Sequence, residues 1–360
     1  MMLKGVRILD FSTYLPGPYA ALRLADMGAE VIKIEPPTGD PARSLAGGYV
    51  FTANNRNKQS VTIDFRNKDD RKKLLSLIPT ADIIIESFRP GVMEKWGLHY
   101  DRVKALNHHI IYCSITGYGQ DNSNRHLGSH DLNYLSLSGL LLQLKNENGK
   151  PVHPTFPLAD YLGSLVACER IIAALYERER TGMGSYLDIS ILDSVLSLLG
   201  THIAFYEELH RTNGIPFIDG SIVSYGIYET KDGRYVSLAA LEEKFWKNFC
   251  EAINKPEWIP YHLSVRTEKN PIYIEIKNVF ASRSWEEWLQ FSTSVDCCLT
   301  PIFDLPDVLQ HSYLYERQLV EQTSNGRTVM KTHRHAQYKP APKLNQNKLS
   351  FHLLREDESK

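Results

Sequence analysis

The chain has 360 residues, long enough for two cores, with 42% hydrophobic and 23% charged residues, an ordinary globular composition. Lys and Arg number 41 and Asp and Glu 42, so a formal net charge of −1 gives no global field for nucleic acid or an anionic membrane. The five cysteines (Cys113, Cys168, Cys250, Cys297, Cys298) include no CxxC, which argues against a disulfide framework or a zinc site and fits a reducing cytoplasm; the adjacent Cys297 and Cys298 read as packing.

The N-terminus runs straight into a strand pattern, with no signal-like apolar region, and no apolar run approaches membrane-spanning length. Val6 to Phe11 reads as the first strand. Pro16-Gly17-Pro18 is a turn, with Pro18 suited to the first turn of a helix that carries apolar residues at helical spacing to Met27 and stops at Gly28. Val31 to Ile34, Ser60 to Asp64, Ala81 to Glu86 and Ile110 to Ile115 are further strands, with a charged helix at Lys68 to Leu77. A long helix spans Asp160 to Arg180, its apolar face made by Leu162, Leu165, Val166, Ile172 and Leu175, and Tyr186 to Ile189 is another strand. This alternation implies an α/β fold with a parallel sheet covered on both faces. After about residue 200 the pattern changes to α+β. Tyr225–Thr230 and Tyr235–Ala239 form a hairpin, Phe245–Ile253 and Trp285–Phe291 are helices, and Asp296–Ile302 is a short strand. The expected division is a large domain over 1–200, a small one over 201–320, and a segment over 321–360 that packs on the large domain or on a partner subunit.

The first βα turn is the natural ligand site of such a sheet, yet Ser12 to Pro18 contains no GxGxxG and no P-loop, which disfavours an ordinary nicotinamide or ATP enzyme. Pro-Gly-Pro either lets a ligand approach the backbone or simply starts a helix. Asp64-Phe65-Arg66 and Ser87-Phe88-Arg89, with Lys95 and Trp96, lie at the carboxyl ends of two strands. They suit a nucleotide carrying phosphates, or are an ordinary solvated rim. His130-Asp131 opens one helix and Asp160 another, thirty positions on (160 − 130). Each has a plain structural reading, a packed histidine and an N-cap, beside a chemical one, since a His and a carboxylate that meet can exchange protons near neutral pH. Glu242-Glu243 opens a further helix, as ordinary first-turn charge or as a functional carboxylate. No metal-ligand spacing involves any of these.

Taken together, Leu3 to Asp10, Gly28 to Glu35, Ser87 to Val92, Gly128 to Gly139 and Pro157 to Tyr161 give the chain a resemblance to the class III CoA-transferases, the family that also contains the α-methylacyl-CoA racemases. It covers Leu3 to Tyr338. The resemblance implies a large Rossmann-like domain, a smaller domain and an interlocked homodimer, with CoA thioesters bound as substrate and no separate cofactor. It implies that Ile63, Asp64, Phe65 and Arg66 meet the adenosine end, and that Ser87, Phe88, Arg89 and Lys95 meet nucleotide and phosphates. Where many members carry Arg after the residue matching Glu35, this chain has Pro36, so that phosphate contact must come from elsewhere, with Arg43 as a candidate.

Two chemistries compete within such a family. In the racemases, the residues matching Asp160 and His130 move the α-proton of a 2-methylacyl-CoA through an enolate. There the residue matching Glu242 supports the His, and N–H groups near Asp131 are suited to receive the enolate oxygen. In the transferases, the residue matching Asp160 forms an acyl-aspartyl anhydride and then an aspartyl-CoA thioester. The chain has His130, Asp131, Asp160 and Glu242 together, lacks the Gly-rich loop some transferases place near Ser237 to Glu243, and has Leu15 where formyl-type transferases carry Gln. The racemase reading therefore comes first and the CoA-transferase second. A non-catalytic acyl-CoA binding protein is the third reading.

Overall fold

Six short strands rich in β-branched residues make one parallel sheet in the computed structural model, which describes residues 1–146 and 148–347. They are β1 (Arg7–Asp10), β2 (Glu30–Glu35), β3 (Gln59–Thr62), β4 (Ile83–Glu86), β5 (Ile111–Thr116) and β6 (Tyr186–Ser190), in the order β3-β2-β1-β4-β5-β6. Every neighbouring pair is parallel, with Ile8 opposite Val31 on one side and Ile83 on the other. The order reverses direction between β1 and β4, which opens a crevice at their carboxyl ends, where ligands of this architecture bind.

Both faces are buried, as the unbroken apolar runs require. Successive side chains alternate between two cores. Ile8, Val31, Ile83, Ile85 and Ile111 pack with Ala20, Ala21, Leu24, Leu135, Ala167 and Ile171. Leu9, Ile32, Ile34, Val61 and Ile84 pack with Leu74, Leu77 and Val103. The first core is covered by α1 (Pro16–Asp26), α3 (Asp131–Leu137) and α4 (Leu158–Thr181), and the second in part by α2 (Lys68–Leu77).

The buried stripe of α4 differs from the one its large residues suggest. It is Ala159, Gly163, Ser164, Ala167, Cys168, Ile171, Ala174 and Leu175. Of the anticipated apolar face, Leu162 and Val166 are only partly buried, and Leu165 and Ile172 are each 40% exposed. Small side chains let the helix seat closely on its neighbours, which turns the larger ones outward.

The described chain divides into two units, one of residues 1–199 and 313 onward, the other of residues 200–312. In the first, the segment after Tyr313 returns to the sheet. Asp26 accepts from the Thr332 hydroxyl at 2.7 Å and Arg43 donates to the Pro342 carbonyl at 3.1 Å. The free edge of β3 is closed by two asparagines: Ser60 N–H donates to Asn347 Oδ1 at 3.0 Å, Asn347 N–H to Ser60 O at 3.1 Å, and Thr62 N–H to Asn345 Oδ1 at 3.2 Å. Residues 348–360, also part of the anticipated returning segment, lie outside the described residues.

The second unit holds an antiparallel sheet of β7 (Tyr225–Glu229), β8 (Tyr235–Ala239) and β9 (Leu299–Pro301). Its core is largely aromatic: Phe280 stacks on Tyr228 with centroids 4.4 Å apart, and the Trp246 indole donates to Trp258 O at 3.1 Å. The helix Pro271–Ala281 supplies Phe280 but was not read from the sequence, where Ile272, Ile274 and Ile276 alternate as they would in a strand. Among the described residues, no helix is long and apolar enough to cross a membrane.

Candidate active site

His130 is the N-cap of α3, in extended backbone conformation, and its ring is exposed. Its own N–H donates to Asn133 Oδ1 at 2.9 Å, and Asn133 N–H returns to His130 O at 2.8 Å, a reciprocal pair that closes the start of the helix. Asp131, the next residue, reaches sideways to α4, where its carboxylate accepts the Asp160 N–H at 3.0 Å and also the Ala159 N–H. This bond fastens the two helix starts together, with His130 the residue before the one that makes it.

Asp160 is the third residue of α4, whose N-cap is Pro157, so the plain N-cap reading does not describe it. Its carboxyl accepts no hydrogen bond among the described residues. Burial and the like charge of Asp131 push it up to about 7 from 3.8. Asp131 is also raised, by burial against the opposing pull of the two N–H bonds. Beneath the pair, Ser129 Oγ and Tyr134 Oη lie 2.9 Å apart. Gly117, just past β5, makes room for them: a Cβ there would stand 2.5 Å from Tyr134 Oη and 2.6 Å from Ser129 Oγ.

The rim residues divide by exposure. Ile63 and Phe65 are core residues, Phe65 stacked on Trp96 with ring centroids 4.1 Å apart. Asp64 and the exposed Arg66 pair with each other at 3.2 Å. Ser87 Oγ accepts the Thr13 N–H at 3.0 Å, and Phe88 meets Trp96 edge to face at 4.9 Å. Arg89 and Lys95 are exposed. The Arg89 guanidinium lies against Gly128, whose Cβ would come within 3.1 Å of it, so the basic rim adjoins the loop that carries His130.

Arg43 has a different employment from the one anticipated. It binds the buried Glu35 through two bonds of 2.7 Å and lies 3.7 Å over the Phe51 ring. A guanidinium held this way is a brace for the loop after β2.

The first βα turn explains why it needs no dinucleotide fingerprint. Its N–H groups are already used: Ser12 donates to Asp10 at 3.0 Å, Thr13 to Ser87, and Tyr14 to Asp40 at 3.2 Å. Pro16 and Pro18 have no N–H, so the start of α1 is a poor phosphate cradle. Gly17 is there for Ser12: a Cβ at 17 would fall 2.1 Å from the Ser12 Cβ. Gly17→Ala is expected to destabilise the fold by about 1–3 kcal/mol or more, read as a lower urea midpoint; an unchanged midpoint would mean that the turn has slack.

Glu242 belongs to the second unit, where it is the exposed N-cap of the helix Glu243–Ala252 with no side-chain capping bond. Two features of the first unit were not read from the sequence. One is the sideways reach of Asp131. The other is Glu86, 3% exposed at the end of β4, which burial raises to about 7 while bonds from Ser114 and the Phe88 N–H oppose the rise. A carboxylate closing an apolar β-branched run was the available signal. Glu86 borders a cavity of about 370 Å³ with Arg89, Tyr100, Tyr112, Ser114 and Tyr186, which includes neither His130 nor Asp160.

Comparison with known proteins agrees with this architecture. The family model described as CoA-transferase family III matches residues 3–348. Succinyl-CoA:glutarate CoA-transferase of Mus musculus is 33% identical, covering 98% of this chain and 86% of that protein. Alpha-methylacyl-CoA racemase of Homo sapiens is 30% identical, covering 88% of this chain and 82% of that protein. The crystal structure of a CAIB/BAIF family protein from Brucella suis superposes with a TM-score of 0.83 at 26% identity, covering 95% of this chain and 96% of that one. Sheet order, helix-start carboxylates and relatives across the whole length converge: the chain is an enzyme and belongs to CoA-transferase family III.

Proposed function

We propose that the protein acts on acyl-CoA thioesters and moves the α-proton of a 2-methylacyl-CoA through an enolate, with Asp160 and His130 as the two proton-transfer groups. The observation that carries this reading is the Asp160 carboxyl: poised at about 7, without a hydrogen-bond partner among the described residues, and tied by its own N–H to the residue after His130. A carboxyl half-protonated at neutral pH gives and takes protons with equal ease. With Asp160 protonated and His130 neutral, the imidazole removes the α-proton while the acid delivers one to the other face; with the protons exchanged, the reverse reaction runs. The Asp131 N–H at the start of α3 is suited to receive the enolate oxygen. Arg89 and Lys95 are assigned to the phosphates. Ile63, Asp64, Phe65, Arg66, Ser87 and Phe88 make up the rest of the CoA rim. CoA enters as part of the substrate, and the working form is an interlocked homodimer in the cytoplasm. The exposed Leu165, Ile172 and Tyr176 on α4 are an apolar surface that supports a second copy.

A second reading is favoured by the mouse relative, whose name is that of a CoA-transferase and whose match spans 98% of this chain. In it, the ionised Asp160 attacks the thioester carbonyl and CoA leaves as thiolate; the thiolate then attacks the Asp160 carbonyl of the anhydride, releasing the donor acid and leaving an aspartyl-CoA thioester. The acceptor acid attacks that thioester to form a new anhydride and free the thiolate, which takes up the acceptor acyl group and restores the Asp160 carboxylate.

One experiment separates them. The protein is incubated with a single enantiomer of a 2-methylacyl-CoA in deuterated water, with and without a free carboxylic acid. Deuterium at the α-carbon supports proton transfer; a new thioester of the added acid, with a hydroxylamine-trappable adduct on Asp160, supports transfer of CoA. His130→Ala is expected to lower α-exchange by about 10²–10⁴-fold and to leave any thioester exchange intact. Equal loss of both activities would sink the separate roles.

A further inference from the structure

We propose that Asp131 is a positioning residue: its carboxylate caps the helix that carries Asp160, and its negative charge, set beside Asp160, biases that second carboxyl toward the protonated acid. The inference rests on Asp160 being the reacting carboxyl.

The first turn of an α-helix leaves N–H groups that a side chain normally satisfies at the N-cap. In α4 the N-cap is Pro157, which has neither a side-chain acceptor nor an N–H. Leu158 N–H turns back to Phe156 O at 2.9 Å. The next two N–H groups, of Ala159 and Asp160, are taken by Asp131, which is 29 residues earlier in the chain and on another helix. Asp131 therefore serves α4 as a capping residue would, from outside it.

This has an electrostatic consequence. A carboxylate in a helix first turn ordinarily gains from the positive end of the helix dipole. At α4 that end is already occupied by the Asp131 carboxylate, so Asp160 loses most of the benefit and meets a like charge in its place. Apart from His130, the proposed partner across the substrate, the other groups facing Asp160 do not compensate. Tyr134 on α3 and Tyr161 on α4 are neutral phenols held above their ordinary value by burial, and Tyr19 on α1 meets Tyr161 edge to face at 4.8 Å. Arg23 of α1 acts on Cys168, two turns further along α4, and on the β6 side Asp193 acts on Asp188. Asp131 is the charged group that acts on Asp160. One side chain thus holds the helix start that carries the reactive carboxyl and biases which form that carboxyl takes.

The two parts of the role can be separated. Asp131→Asn keeps a carbonyl oxygen for the helix N–H groups and removes the charge; Asp131→Ala removes both. The carboxyl carbon of Asp160 is followed by ¹³C NMR against pH, with Asp160→Asn identifying the resonance, alongside the pH profile of α-deuterium exchange. In Asp131→Asn the midpoint of the Asp160 titration is expected to fall by about one pH unit or more, the corresponding limb of the rate profile moving with it. Thermal stability stays near wild type in Asp131→Asn and drops in Asp131→Ala. An unmoved midpoint overturns the proposal. Should Asp131→Asn fail to fold, Asp131→Ser, which also offers an N-cap oxygen without charge, gives the same reading. A shifted midpoint in a protein that shows neither α-exchange nor thioester transfer upholds the role of Asp131 and overturns the assigned function, so the two failures are told apart by the NMR arm.

Discussion

Asp160→Asn should cost at least about 10³-fold in α-proton exchange and still yield a protein that is more stable than wild type at pH 8. Asn is close to isosteric and cannot hold or release a proton, so activity falls. The stability gain follows from the position of the carboxyl. It titrates at about 7 in the folded chain, against 3.8 for the ordinary group. Between these values the folded state binds the proton and the unfolded state does not, so wild-type stability declines as pH rises through this window, and the penalty is complete above 7. Three pH units at 1.36 kcal/mol each bound it at on the order of 4 kcal/mol. Melting temperatures of wild type and variant should therefore converge near pH 4 and separate progressively up to pH 7. A constant difference across that range would mean that burial of the charge is not the cause. The bond that fixes the helix is made by the Asp160 backbone, so it survives the substitution.

The second large effect is expected beneath the first βα turn. Asp10, Lys33, Asp40 and Lys58 are all buried to within 6% of full enclosure. Lys58 uses all three of its donors, to Asp10 at 2.8 Å, Pro18 O at 2.8 Å and Asn55 at 2.9 Å. Lys33 bridges Asp40 at 3.0 Å and Ser12 O at 2.7 Å. Burial opposes the charge on Asp10, but Lys58 and Lys33 outweigh it and hold the carboxyl below its usual range; burial pushes Lys58 down to about 8. Asp10→Ala leaves two buried ammonium groups facing one carboxylate, and should cost about 3–5 kcal/mol, seen as a lower urea midpoint. Asp10→Leu with Lys58→Met removes one charge of each sign and should recover most of that loss. If the double variant is as unstable as the single one, the unpaired-charge account is wrong.

The sheet was legible because parallel strands buried on both faces are written as β-branched runs, and Ile8 to Leu9 or Ile83 to Ile85 have little other reading. The long helix was legible in extent but not in orientation: Leu165 and Ile172 outrank Ala167 and Ala174 on any hydrophobicity scale, while close packing selected the alanines. Asp160 and His130 could be singled out from the sequence, but the bond that joins their helices could not. Asp131 has the look of ordinary first-turn charge, and its partner N–H lies 29 residues away. Lys33 and Lys58 gave no sign of burial, since a lysine in a strand pattern reads as an outward residue until two carboxylates are found beside it. Arg43 was visible as a spare cation, and only the placement of Glu35 shows that it is already engaged.

The asparagines that close the edge of β3 have a consequence for how the chain is made. Strands β1 to β6 are complete by residue 190, and the second unit follows, yet Ser60 waits for Asn347, 287 positions later, to satisfy its backbone N–H. During vectorial synthesis the sheet therefore emerges with one open, pairing-competent edge, and keeps it through the translation of more than a hundred intervening residues. The last described residues act as the clasp on a structure otherwise assembled long before, and the time between β3 and its clasp is the interval in which a nascent chain is most exposed to pairing with the wrong strand.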